Sequence, residues 1–434
     1  MTLYPRRHLI ESAASLLAGN YLLRAAEPLA GLSVTPRASA DAVIFINLNG
    51  APSHVDTFDF KPGVWTPRDF DPQPGAGGIV LSRKLFPELL RQSRHLHLVR
   101  SIEGYEGAHE RGQFNLQTGH RANPAFNSET PNIGAVVATE MPSAGKFPPF
   151  LSLNGLPNEG AKFLDGRHEP VQPLLNDAGF ALLKHEYFGA NSRTTFENRY
   201  RLLEQLDSAV RNNPYDPLMR SHTAFYSLAK GMMYEESIVD IFRLTLEDRE
   251  RFGDCSFGRS CIVARNAVRA KNGVRFISIQ SDGWDMHVDV YGNLAQKCAE
   301  LDKGVGNLIA DLADSGDLNR VLILAMGEFG RTPGALNTRG GRDHHKDALC
   351  AMLAGGGVAG GKILGRTDST GSKIVEPGWS AARPVRLEDL TATIYSALGI
   401  NWTKSRLDTP SGRKFQYVPG ADLGDYFPIE ELFT

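Results

Sequence analysis

"AVIFINLNG", Ala42–Gly50, is a short apolar run rich in β-branched residues that stops at Asn-Gly. The run is too short for a typical helix and shows no strict alternation, which is the pattern of a strand buried on both faces. Strands of that kind belong to parallel sheets covered by helices on either side. The same pattern recurs in "HLHLVRSIEG" (His95–Gly104), "GVRFISIQSDGWD" (Gly273–Asp285), "NRVLILAMGEFG" (Asn319–Gly330) and "DALCAMLAGGG" (Asp347–Gly357). "HERGQFNLQTGHR" (His109–Arg121) is placed to open a helix. Apolar residues spaced by three and four make the region from Thr194 to Arg251 helical. "RLEDLTATIYSALGI" is expected to be an amphipathic helix with Leu387, Leu390, Ile394 and Leu398 on one face. Alternating strands and helices of this kind predict an α/β sandwich with a mostly parallel central sheet. The helical region, about 190–255, is read as an insertion packed beside it.

The chain has 434 residues, 41% of them hydrophobic, enough for a large core, and a net charge of -2. That balance provides no basic field for nucleic acid. No run of about 18 apolar residues is present that would span a bilayer. The four cysteines, Cys255, Cys261, Cys298 and Cys350, form no CxxC pair, which argues against a zinc ribbon. Cys255 and Cys261 are close enough for a disulfide in an oxidising compartment, and buried free thiols are the alternative.

Near the N-terminus, "YPRRHLIESAASLLAGNYLL" sets Arg6 and Arg7 before a moderately apolar stretch, and "ASA" at Ala38–Ala40 offers a small-residue cleavage site. The order is that of a bacterial export signal, and the arginine pair points to the twin-arginine route. Residues 1–40 are therefore expected to be the signal and residues 41–434 the folded domain, periplasmic or secreted. An amphipathic helix with a basic first turn is the alternative.

In open α/β folds, ligands sit beyond the carboxyl ends of the strands. Five clusters of histidines and acids fall there: His54 and Asp56; His109; Asp285 and His287; Glu328; and Asp343, His344 and His345. Mixed imidazole and carboxylate donors suit a divalent metal, zinc first, with manganese, iron or calcium as alternatives. One or two such ions would clamp an oxyanion ester and generate hydroxide near neutral pH. Arg331, three residues after Glu328, is placed to hold a phosphate or sulfate. Taken singly, each cluster is equally a solvated turn or a helix cap.

The segments "LNGAPSHVDTFDFKP", "FGRSCIVARNAVRAKNGVRFISIQSDGWDMH", "MGEFGRTP", "GGRDHHKDALCAMLAGGGVAGGKILGRTD" and "LEDLTATIYSALGI" resemble, in order, hallmark segments of domain-of-unknown-function family 1501. That family is similar to the alkaline phosphatase and sulfatase superfamily. The resemblance implies an alkaline-phosphatase-like three-layer sandwich and hydrolysis of phosphate or sulfate esters at one or two metal ions. It places Asn49 where the superfamily has a metal-binding aspartate, with His54 and Asp56 as substitutes. His109 takes the place of a Ser, Thr or formylglycine nucleophile, and the C-x-P-x-R pattern is absent. Glu328 matches an aspartate ligand, Phe329 removes the adjoining histidine, and Asp285, His287 and His344 match further ligands. The implied metal set is His54, Asp56, His109, Asp285, His287, Glu328, Asp343 and His344, with His109 and Arg331 in catalytic roles.

Two functions follow. The first is an exported metal-dependent hydrolase of a small-molecule or polysaccharide phosphate or sulfate ester, with metal-activated water or His109 as nucleophile. The second is a non-catalytic periplasmic binding or assembly protein that keeps the fold. The expected partners are the substrate and the twin-arginine export machinery, with no nucleic acid and no stable membrane span after cleavage.

Overall fold

Seven strands form the central sheet: β1 (Ala42–Leu48), β2 (Leu96–Ile102), β3 (Phe150–Leu153), β4 (Phe276–Ser281), β5 (Val321–Met326), β6 (Leu349–Ala354) and β7 (Lys362–Leu364). Their order is β7-β2-β6-β5-β1-β4-β3 in this computed structural model. It describes residues 31–143, 145, 147–155, 158, 160–173, 175–176, 179–180, 192–208, 230, 232 and 236–434. β1 pairs in parallel with β4 and β5, β3 with β4, and β7 with β2. Only β6 runs against its neighbours β2 and β5. The short β3 and β7 are strands the sequence reading did not anticipate.

All seven residues of β1 are buried. Ala42, Ile44, Ile46 and Leu48 join one core, whereas Val43 and Phe45 join another on the opposite face. The first core packs helices α3 (Ser256–Ala270) and α4 (Val290–Asp314) on the sheet; the second packs α2 (Ile133–Glu140) and α5 (Leu387–Ala397). This is the three-layer α/β arrangement expected, with the side chains of each strand divided between the two layers.

The helix α5 departs from expectation. Every residue from Leu387 to Ala397 is buried, Glu388 and Asp389 included, so no polar face meets solvent. The chain's last segment covers it: Tyr417, Val418, Ile429 and Leu432 belong to the same core, and the Ile429 N–H donates to Thr393 Oγ1 at 3.0 Å. Asp389 is held by Arg383 at 2.7 and 2.9 Å, which compensates its burial.

Within the proposed insertion, Arg193–Leu206, Glu236–Ile241 and Leu246–Phe252 are helical; residues 209–229, 231 and 233–235 lie outside the described residues. All four cysteines are free thiols, and Cys255 Sγ accepts from the Gly258 N–H at the start of α3 instead of pairing with Cys261. Among the described residues no helix is long and apolar enough to cross a membrane.

Arg6 and Arg7 lie outside the described residues, but the end of the proposed signal does not. The Ala38 and Ala40 N–H groups donate to Ser396 and Ala397 carbonyls at 2.9 and 2.8 Å, and Ala40 belongs to the second core. A cut at Ala40 would remove these bonds from the end of α5. If the chain is exported and trimmed, the mature N-terminus is therefore expected upstream of Arg37. Terminal sequencing of the exported protein checks this; a start at Asp41 in a protein as stable as one retaining Arg37–Ala40 would contradict it.

Candidate metal centre

The carboxyl ends of β1, β4 and β5 lie side by side, and each runs into a loop carrying chemistry. β6 is antiparallel, so its beginning reaches the same edge; His344 accordingly precedes its strand while Asp285 and Glu328 follow theirs. A two-residue ribbon pairing Gly330–Arg331 with His344–His345 fixes His344 against the loop after β5. The buried Trp284 anchors the loop after β4, its ring N–H donating to Ser281 Oγ at 3.1 Å. Gly50, at φ +100°, admits that loop, since a Cβ there would meet the Asp285 nitrogen at 2.5 Å. His109 begins helix α1 (His109–Thr118). Gly112 lets this helix rest on Glu328, whose Cβ would stand 3.1 Å from an added Cβ.

Four side chains meet at this edge. His109, Asp285, His287 and His344 each offer one ligand atom, all within 4.8 Å of one another. Asp285 Oδ1 lies 3.2 Å from His109 Nε2, 3.0 Å from His287 Nε2 and 3.4 Å from His344 Nε2. His287 Nε2 and His344 Nε2 are 2.9 Å apart. A tetrahedral ion with bonds of about 2.0–2.1 Å needs ligand separations of roughly 3.3 Å, so the donors already stand near the required spacing.

The other nitrogen of each ring faces an acceptor. His109 Nδ1 meets Glu328 Oε1 at 2.5 Å, His287 Nδ1 meets Asp343 Oδ1 at 2.8 Å, and His344 Nδ1 meets the Gly107 carbonyl at 2.6 Å. Neither a carboxylate nor a carbonyl donates, so each Nδ1 carries the proton and each neutral ring presents a lone pair at Nε2. His287 and His344 thus face each other lone pair to lone pair, an arrangement that calls for a cation between them. His109 Nε2 is buried with no hydrogen-bond partner among the described residues, because its contact with Asp285 has the distance but not the geometry of a hydrogen bond. The residues fit a divalent metal: three imidazoles and a carboxylate, each ring oriented from behind.

The electrostatics differs from ring to ring. The hydrogen bond that His109 donates to Glu328 raises the His109 pKa against the opposing effect of burial, so a bound cation has to displace a proton there, whereas burial lowers the pKa of His344 and favours its neutral ring. Burial would raise Asp285, but Arg331, His109 and His287 outweigh it and keep the carboxylate ionised.

The other expected ligands do not join the cluster. Glu328, fully buried, uses both oxygens: Oε1 also accepts from the Gly50 N–H at 3.2 Å, and Oε2 from Gln113 at 2.7 Å. It orients His109. Asp343, expected as a ligand, orients His287 instead. His54 is buried with its pKa lowered to about 4 by desolvation; Nε2 bonds the Gly371 carbonyl at 2.8 Å and Nδ1 accepts from the Arg331 N–H at 3.3 Å. Asp56 is paired with the equally buried Arg342 at 2.6 Å and bonded to Ser53 and Tyr291. Both are therefore committed to the frame under the site. His345 points away, its Nε2 2.9 Å from the Ser372 carbonyl. Asn49 bonds Asp282 at 2.6 Å and supports the loop after β4.

Arg331 is the largest correction among the predicted catalytic residues. Its guanidinium donates to the carbonyls of Ala51 at 3.0 Å, Arg342 at 3.2 Å and Gly50, and to Asp285 Oδ1 at 2.5 Å. With its side chain only 2% exposed, it has no free edge for a phosphate and instead holds Asp285 in place. Phe329 walls the site, its ring centroid 4.9 Å from His109 and 4.5 Å from His344. Gln113, overlooked in the sequence, lies four residues after His109 on the same helix face and steadies Glu328. It is itself bonded by Asn47 and Gln117, at 2.8 and 2.6 Å.

The family model described as "Protein of unknown function (DUF1501)" matches residues 40–424. The chain matches no curated relative. Among solved structures it is similar to the PsFucS1 sulfatase from Pseudoalteromonas sp., at 12% identity and a TM-score of 0.39, covering 91% of this chain and 72% of that one. It is also similar to the phosphonate monoester hydrolase SpPMH from Silicibacter pomeroyi, at 12% identity and a TM-score of 0.39, covering 91% and 76%. A third is the alkaline phosphatase from the Antarctic bacterium TAB5, at 14% identity and a TM-score of 0.34, covering 74% and 91%. Likeness of this degree bears on neither activity nor substrate.

Proposed function

We propose that this chain, which belongs to the family described as "Protein of unknown function (DUF1501)", is an exported hydrolase of phosphate or sulfate esters that works with one divalent cation. The observation that carries the reading is the convergence of three Nε2 lone pairs and one carboxylate, each ring fixed through its Nδ1. A cation bound there would polarise an ester oxygen and lower the pKa of water. The chain's own groups then have separate tasks. His109, Asp285, His287 and His344 hold the cation, and Glu328, Asp343 and the Gly107 carbonyl keep the rings aimed.

Arg331 neutralises part of the Asp285 charge and positions it. Phe329 shields one side of the site from water. With Nδ1 committed to Glu328 and Nε2 turned toward the other three donors, His109 serves as a ligand, and water would be the nucleophile. Beside Asp285 and His287 a cavity of about 590 Å³, lined by Asn293, Gln296, Lys297 and Glu300 of α4, accommodates the group carried by the ester. Phe329 in place of a second ligand histidine argues for one ion, not two.

The test is an assay of the full chain loaded with zinc or manganese against an aryl phosphate, an aryl phosphodiester and an aryl sulfate. At least one is expected to be hydrolysed, with activity lost to a chelator and restored by the metal. A metal-loaded protein inert toward all three would favour a binding or assembly protein that keeps the site for structure.

A further inference from the structure

A second cavity, of about 650 Å³, lies at the opposite end of α1 from His109, with Arg121, Glu388, Arg413 and Tyr426 among its lining residues. Ten residues of helix put it about 15 Å from the metal centre. Arg121 and Glu388 attract each other across it, but two of its charged groups keep polar atoms without a hydrogen bond. Glu388 is 2% exposed, and its Oε2 has no hydrogen-bond partner among the described residues. The same is true of Arg413 Nε and Nη2. The Arg413 guanidinium lies over the Phe126 ring at 4.2 Å, and that of Arg121 over the Tyr105 ring at 3.2 Å. By contrast Lys414, also at the cavity, is paired with Asp422 at 2.6 Å. Unsatisfied buried polar groups are costly and few in native proteins.

What would satisfy them is specific. The Nε–Nη2 edge of an arginine is the fork that takes a carboxylate, sulfate or phosphate. Glu388, a few side chains away, would repel a bare oxyanion and requires a hydroxyl beside it. Burial raises the Glu388 pKa to about 7, so the group can accept from a hydroxyl or donate to one. Tyr426 and Pro124 also line the cavity and provide it with apolar surface suited to the C–H face of a sugar. We propose that this cavity binds one unit of an acidic saccharide, its oxyanion taken by Arg121 and Arg413 and a neighbouring hydroxyl by Glu388. A further cavity of about 500 Å³ shares Ala122 and Pro124 with it and is lined at its other side by Glu110 and Arg111, next to His109.

The experiment uses the full chain without metal, so it is independent of any hydrolysis. Glucuronic acid, glucose 6-sulfate, glucose and inorganic sulfate are titrated at millimolar concentrations by calorimetry and ligand-observed NMR. The two acidic sugars separate the carboxylate from the sulfate as the source of the oxyanion. At least one of them is expected to bind more tightly than glucose or inorganic sulfate. Arg413→Ala should weaken that binding by at least about 10-fold, the scale of a lost charge-assisted pair. Glu388→Gln, which preserves shape, should weaken the sugar and, by removing the repulsion, strengthen inorganic sulfate, and His344→Ala should leave all binding unchanged. Failure of both acidic sugars to bind, equal affinity for glucose, or an unaffected Arg413→Ala variant would overturn the proposal. So would inorganic sulfate binding as tightly as the sugars, which would make the cavity an anion site only, or loss of binding in His344→Ala, which would place the ligand at the metal centre.

Discussion

His344→Ala is expected to remove metal binding while leaving a folded protein. The ring is partly exposed and sits on a two-residue ribbon outside both cores, so its loss opens no cavity. It nevertheless provides one of only four converging donors. Removing a residue that merely orients a ligand costs about 10–100-fold in affinity, and removing the ligand itself should exceed that range. Asp343→Asn is expected to fall within it, since the amide can still accept from His287 but without the charge that now assists the bond. His345→Ala should change affinity little, because that ring bonds Ser372 and not the centre. Competition with a chromophoric chelator ranks the three variants, and circular dichroism confirms their folding. Parental affinity in His344→Ala would reduce the loop to a polar turn.

Arg331→Ala should destabilise the protein by about 1–3 kcal/mol, the usual consequence of leaving buried acceptors unsatisfied, with the solvent-accessible Asp285 carboxylate adding little. The guanidinium joins the loop after β1, through Gly50 and Ala51, to the loop carrying Arg342 and to Asp285. Truncation leaves the three carbonyls without their donor. Lysine should not rescue it, because an ammonium cannot reproduce the planar fork that reaches four acceptors. Urea unfolding of the metal-free proteins measures the loss. An Arg331→Ala variant as stable as the parent would mean that this arginine is not a structural strut, and would restore it as a candidate for holding substrate.

The sheet was legible because its central strands are apolar on both faces, and "AVIFINLNG" shows why: its odd and even positions enter different cores. β3 and β7 escaped because four and three residues are too few to show a pattern. The outward face of α5 was misjudged for a physical reason. Its Glu388, Asp389 and Thr393 look solvent-exposed in sequence, but segments more than 20 residues later cover them, and local periodicity contains no information about such a cover.

The site was legible as a list of residue types at strand ends, and the antiparallel β6 explains why a residue before a strand joined residues after strands. The division of labour was not legible. Whether a carboxylate holds an ion or a ring depends on atoms a few ångströms apart. Glu328 and Asp343 therefore read like ligands until their bonds to His109 and His287 are seen. Arg331 reads like an anion clamp for the same reason, since nothing local announces the carbonyls of Gly50, Ala51 and Arg342 as its partners.

The most direct test is the stoichiometry and coordination of metal in the parent protein. Metal-free chain titrated with zinc should bind one equivalent, and X-ray absorption of the product should show imidazole nitrogens and a carboxylate oxygen at about 2.0–2.2 Å. In nitrogen-15 spectra of the metal-free protein, the Nδ1 atoms of His109, His287 and His344 should already carry a proton, because each faces an acceptor. Absence of any zinc binding, or coordination without imidazole, would contradict the account.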